Sequence, residues 1–210
     1  VNFMTQSMGI QNANTDSQNP IPASKNEIQG ETGDLLAGGY IKDGQLRFVA
    51  NNGKDNSIAI DLTSFRVTDA AGTVTTPNLA FGSIQSAKGQ SAVADFIAYD
   101  SLGLPIRTRV TAVLQAKTDT ETVYRWFADS ADNSPQAGAA IGVGTGLIKF
   151  DGNGNFVSAS NTRVAVDRVG LPSVSPLQFD IDFSSVSGLA TATPTLAAAR
   201  QDGSPPGKLT

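Results

Sequence analysis

The stretch Pro176 to Ser185 reads PLQFDIDFSS. It places Leu177, Phe179, Ile181 and Phe183 on one side of an extended chain and Gln178, Asp180 and Asp182 on the other. A period of two is the mark of a strand with one face on a core and one face in water. Burying four large side chains from that face would contribute roughly 6–12 kcal/mol, at about 1.5–3 kcal/mol each. The same period runs from Ile106 to Ala116, where Ile106, Thr108, Val110, Ala112, Leu114 and Ala116 oppose Arg107, Arg109, Thr111, Val113 and Gln115. It recurs at Val123 to Phe127, with Tyr124 and Trp126 on one side, and at Ile58, Ile60 and Leu62.

Turn signals separate these runs. Asp43-Gly44, Asp69 to Thr73, Asp100 to Gly103 and Asp151 to Asn155 all combine residues that tolerate positive φ with side chains that bond their own backbone. The short link Lys117 to Glu121 favours an antiparallel neighbour. Leu147 to Phe150 and Phe156 to Ser160 read as a hairpin, and Pro77 to Gln85 as a further strand candidate. Residues 129–146, which are small, polar and Gly-rich, read as loop. The chain holds no amphipathic helical pattern longer than about two turns and no βαβ spacing. The expectation is an all-β fold: an antiparallel barrel or sandwich-like domain with a second, smaller β-rich region. Residues 1–30 read as an extended arm or linker, with a weak strand signal near Ile21. Residues 31–88 read as the smaller region or an insertion, and residues 89–210 as the main domain.

The 210 residues suffice to bury a core. Net charge is −4 and Lys and Arg are not clustered, so neither nucleic acid nor an anionic membrane is expected as a partner. With no Cys and no His, disulfides, thiolate metal sites and a Ser-His-Asp triad are all excluded. No apolar run approaches the ~18 residues of a membrane span. The first residues show no basic and apolar leader, and a chain beginning with Val1 is expected to be a fragment or a processed form.

Several stretches carry chemistry on paper. Asp151 to Asn155 begins like a calcium loop, but the sixth and twelfth positions are Phe156 and Thr162 where Gly and an acid are needed. Gly142 to Gly146, GVGTG, has the composition of a phosphate cradle without a preceding strand and following helix. Asp180 and Asp182 share a strand face, where solvation is a simpler role than acid-base catalysis. Arg107, Arg109 and Arg125 could form a basic ladder or pair across strands with acids. Tyr124 and Trp126 could be core residues or a sugar-stacking platform. None amounts to a catalytic, cofactor or metal site, so no enzyme activity and no cofactor are expected.

The local pieces stand in a telling order. YDSLG (Tyr99 to Gly103) precedes the alternating strand. Then come VYRWFAD (Val123 to Asp129), LIKFDGNGNFVS (Leu147 to Ser158), LQFDIDFSSVSGL (Leu177 to Leu189) and RQDGSPPGKL (Arg200 to Leu209). The series resembles the outer domain of the bacterial flagellar hook protein over residues 96–209. Gly44 to Leu62 is similar to an insertion of longer hook proteins. Leu104-Pro105 and Ser204 depart from the family pattern. The resemblance implies a structural subunit of the flagellar hook, the flexible joint between rod and filament. It implies self-association into a helical tube in the full-length protein. It also implies contacts with rod, hook-cap and hook-filament junction proteins, and export through the flagellar type III channel to the cell exterior. Alone, the fragment is expected to be monomeric. Alternatives are a related rod or hook-associated axial protein, and an adhesin-like carbohydrate-binding β domain.

Overall fold

The computed structural model describes residues 1–11, 21, 25–27, 32, 34–61, 63–134, 140–188 and 196. The fold is nearly all β and centres on one curled antiparallel sheet of half-barrel shape. Its strands are β7 (Ser91–Tyr99), β8 (Pro105–Lys117), β9 (Glu121–Asp129), β10 (Gly142–Asp151) and β11 (Phe156–Ala159). They form a meander in the order β11-β10-β9-β8-β7. The other strands are short pairs: β1 (Lys25–Glu27) with β2 (Asp34–Leu36), β3 (Gly38–Lys42) with β4 (Gln45–Val49), β5 (Val67–Thr68) with β6 (Val74–Thr75), and β12 (Arg163–Val166) with β13 (Leu177–Asp180). No described helix is long and apolar enough to cross a membrane.

One face of the large sheet holds the core. Ile106, Val110, Trp126 and Phe150 pack there against Val164 and Phe183. The indole of Trp126 lies 5.8 Å from the Phe183 ring. Along the first half of β8 exposure alternates as the period requires: Ile106 and Thr108 are buried, Arg107 and Arg109 exposed. The middle departs from it, because Thr111, Ala112 and Val113 are all buried. The opposite face is covered there by the start of the chain and by residues 49–53. Ile10 and Val49 are buried, and a side chain at Gly53 would run into Val113. Both faces of β9 are enclosed for the same reason, with Trp126 and Phe127 nearly inaccessible.

The structure differs from several of the local expectations. Gly142 to Gly146 is strand rather than loop. A Cβ at Gly144 would come within 3.0 Å of the Trp126 ring, and one at Gly146 would collide with the Ser160 carbonyl and the indole. Glycine stands here because a large ring lies against the backbone. Ile58 and Ile60 keep their alternation, half-buried between exposed Ser57, Ala59 and Asp61, but no described strand pairs with them. Pro77 to Gln85 also forms no strand. The arm expected to be extended starts with a short helix, α1 (Asn2–Ser7), that packs near β3. Ile21 is buried and sits in a bridge. In the PLQFDIDFSS run the alternation of burial holds to Phe183, yet the ladder ends at Asp180. The carbonyl of Thr162 accepts the next free amide, that of Ile181. The RQDGSPPGKL turn lies outside the described residues.

Candidate functional site

The acidic turns give the molecule its most regular local chemistry. Asp69, Asp100 and Asp151 each open a five-residue reversal with glycine fourth. Each uses one carboxylate oxygen to accept the amides two and four residues on. Oδ1 of Asp69 takes Ala71 and Thr73 at 2.9 and 2.8 Å. That of Asp100 takes Leu102 and Leu104, both at 2.9 Å. That of Asp151 takes Asn153 and Asn155 at 2.9 and 2.8 Å. The glycine amide donates to the aspartate carbonyl in all three, and Gly72, Gly103 and Gly154 have φ of 84°, 74° and 81°. This is a type I turn closed by a left-handed glycine, a loop that joins antiparallel strands. A side chain at that φ costs roughly 1–2 kcal/mol.

What the second carboxylate oxygen does separates the three. In Asp151 it accepts the neighbouring Asn155 side chain at 3.0 Å. In Asp100 it accepts Nη2 of Arg168 at 3.3 Å, in a pair whose side chains are 0% and 7% accessible. Arg168 also donates Nη1 to the Asp132 carbonyl at 2.9 Å and its amide to Ser175 Oγ at 2.8 Å. The amide of Val174 donates to Ser101 Oγ at 2.8 Å. Asn133 accepts the Asp167 amide at 2.7 Å. Three loops, 100–104, 130–134 and 167–175, are thereby tied at one end of the sheet. Burial pushes the Asp100 carboxyl up, but the Leu104 and Leu102 amides and the Arg168 guanidinium outweigh it and hold it below the usual carboxylate range.

A second polar knot joins the start of the chain to the sheet. The buried Asn51 side chain donates to the Gly9 carbonyl at 2.8 Å and accepts the Gln11 amide at 3.0 Å. Gln11 in turn donates to the Ala128 carbonyl at 3.1 Å and to Asp129 at 3.3 Å. Burial raises the Asp129 carboxyl to about 6 against the opposing pull of Gln11 and Arg109.

The remaining candidates resolve into structural roles. Asp151 forms the hairpin turn just described. Asp180 makes a two-pronged exposed ion pair with Arg163 at 3.2 Å, while Asp182 accepts the Ser184 amide at 2.8 Å, so the two do not act on a common proton. Among the described residues no group of three or more acids is placed to hold a metal ion. Arg109 pairs with Asp95 across strands at 3.0 Å. Arg125 is buried and donates to Gln115 at 2.8 Å, and Arg107 is exposed, so the three form no continuous basic ladder. Trp126 is fully buried and Tyr124 stands edge-on to Phe150 at 5.8 Å, which leaves no aromatic platform for a sugar. Asp100 was visible in the sequence as a turn residue. Arg168 was not, because a basic residue in VDRVG looks like any solvated loop cation.

The comparisons with known proteins add one positive finding. A family model described as "Flagellar basal body protein FlaE D2 domain" matches residues 67–204. Neither the curated proteins nor the solved structures gave a match.

Proposed function

The chain belongs to the flagellar basal body protein FlaE D2 domain family, and from that premise we propose that it is the outer part of a hook subunit. The role at family level is structural and of flagellar hook type. The finer reading is mechanical: copies stack in a helical tube outside the cell, joining rod to filament, and the tube is stiff in torsion and soft in bending. The observation that carries it is the extent of the match, which takes in the whole five-stranded sheet, the Asp100 knot and the β12–β13 pair. In this reading residues 89–210 are the outer domain, residues 31–88 a smaller module riding on it, and neither has catalytic work.

The outer faces suit such a task. Exposed positions on β8 and β11 are mixed polar and small apolar, and the ion pairs Arg109–Asp95, Lys149–Glu121 and Arg163–Asp180 are exposed. Contacts of this kind are weak, wet and replaceable, which sliding neighbours require. Export through the flagellar channel and contacts with rod, cap and junction proteins belong to the same proposal. Antibodies raised against this chain, applied to purified hook–basal bodies, test it by electron microscopy. Gold along the hook is the expected result. Gold confined to the rod would assign the chain to a related axial protein, and unlabelled flagella would end the reading.

A further inference from the structure

Residues 1–11 form a strap across the joint between the small region and the large sheet. At the outer end Val1 and Thr5 lie against Gly39 of β3, where a Cβ would run into the Val1 side chain. In the middle the Gln6 carbonyl accepts the Ile141 amide at 3.1 Å, and the Ile141 carbonyl accepts the Ser130 amide at 2.8 Å. At the inner end Ile10 is buried, and Gln11 bonds to Asn51 and to the Ala128 carbonyl of β9. The strap thus touches both bodies that meet at the joint.

The strap crosses the Asp129 carboxyl, which has few donors. Among the described residues its one side-chain hydrogen bond comes from Gln11 Nε2 at 3.3 Å. The backbone of Gly9 passes over it so closely that a Cβ there would stand 3.0 Å from Oδ1. In register, Asp129 lies between Arg109 of β8 and Gly142 of β10. Arg109 attracts it, but that guanidinium is exposed and bonded to Asp95 of β7 at 3.0 Å. Arg109 also feels Asp55, in the short turn 54–56. Gly142, Asn51 and the side chains of residues 1–11 carry no charge. Asp100 makes the contrast: two amides and a guanidinium hold it ionised. A carboxyl kept from water with one long donor instead holds its proton.

We propose that loss of the Asp129 proton unlatches the strap, so that the joint between the small region and the sheet is clamped in acid and loosened towards neutral pH. The docked carboxyl titrates at about 6, and the released one, in water, at the ordinary 3.8. Docking is therefore tightest below the lower value. It weakens up to about tenfold per pH unit between the two and levels off above the higher one, a total on the order of a hundredfold. Release is local, because the ladders of β8, β9 and β10 pair with one another and not with the strap. What it frees is the hold of α1 on β3 and of Gln11 on β9.

Amide hydrogen exchange read by NMR between pH 4 and 6.5, corrected for the intrinsic pH dependence of exchange, tests this. The reporters are the Gln11 amide, bonded to Asn51 Oδ1, and the Ile141 amide, bonded to the Gln6 carbonyl. Both should be less protected than the central β8 and β9 amides at every pH, and should lose roughly fiftyfold in protection across the range. Asp129→Asn should keep their protection at its acid level throughout. Gln11→Leu removes the donor and leaves the carboxyl, so the decline should extend to higher pH; it decides the matter if Asp129→Asn does not fold. Four results would each overturn the proposal: protection equal to that of the central sheet, protection independent of pH, a decline that survives Asp129→Asn, or an unmoved decline in Gln11→Leu.

Discussion

The turns at Asp69 to Thr73 and Asp100 to Leu104 share their hydrogen bonds and their left-handed glycine, yet they lie in regions of opposite character. The first joins two strands of two residues, all exposed. The second joins strands of nine and thirteen residues and buries its carboxylate against Arg168. The regions around them differ in the same way. Between residues 34 and 88 the only buried positions among the described residues are Val49, Asn51 and Gly53, and these belong to the cover over the large sheet. That region's own apolar contact is the group of Phe48, Phe65 and Phe81. A turn thus forms wherever its local chemistry is present, and what it supports depends on the ladder and core behind it.

The widest gap between the two turns is expected from the ion pair. Arg168→Met leaves the Asp100 carboxylate buried with only its amide donors, and should lower the unfolding free energy by about 3 kcal/mol in urea titrations. Asp100→Ala should cost a similar amount. The double variant should cost less than the sum, since each single change strands a partner. Losses under about 1 kcal/mol would place the two turns on a par and break the comparison. Asp100 also predicts an acid limb: its folded carboxyl is held below the unfolded value of 3.8, so its contribution is present above that pH and fades as pH falls further.

Asp129 probes the attachment of the chain's start to the sheet, and its sign is the reverse. Its folded carboxyl titrates at about 6 against an unfolded 3.8, so the folded state holds the proton more firmly. Stability is therefore highest below the unfolded value and declines as pH rises through that window, by on the order of 3 kcal/mol. Asp129→Asn keeps an acceptor for Gln11 and should abolish the slope, leaving the variant more stable than wild type at pH 7–8. An unchanged slope in thermal melts from pH 4 to 7 would show that the group is more solvated than its contacts indicate.

The smallest effects belong to the exposed turns. Asp151→Ala removes an isolated local acceptor and should lower Tm by only a few degrees. Asp69→Ala should leave Tm unchanged and speed hydrogen exchange at the Ala71 and Thr73 amides alone. A large fall in Tm from Asp69→Ala would mean that the small region is cooperative with the large sheet.

Much of the sheet was legible because period two and turn residues are both local signals. The segment from Ile106 to Phe127, the Asp43-Gly44 hairpin and the Leu147 to Ser160 hairpin stand where their patterns put them. The misreadings share one cause. GVGTG looks like a flexible link because its glycines carry no pattern, and their reason, the Trp126 ring against the backbone, lies on another strand. Arg163 to Val166, a strand paired with β13, is only four residues long, and the pairing that makes it a strand lies more than ten residues further along the chain. Nothing in the sequence near Arg168 says that it meets Asp100, 68 residues away.

The amino-acid sequence by itself determined the all-β character, the reversals at Asp69, Asp100 and Asp151, and the ordered series of pieces that marks the flagellar family. Those follow from backbone sterics, side-chain alternation and hydrogen bonds that span at most five residues. Only the tertiary structure decided which alternating runs became strands, since Ile58 and Ile60 and their exposed neighbours alternate as well as β8 does but find no ladder partner among the described residues. It alone turned Asp100 from a turn residue into the anchor that ties the loops at one end of the sheet, because a buried ion pair needs two distant loops brought together and water excluded from both.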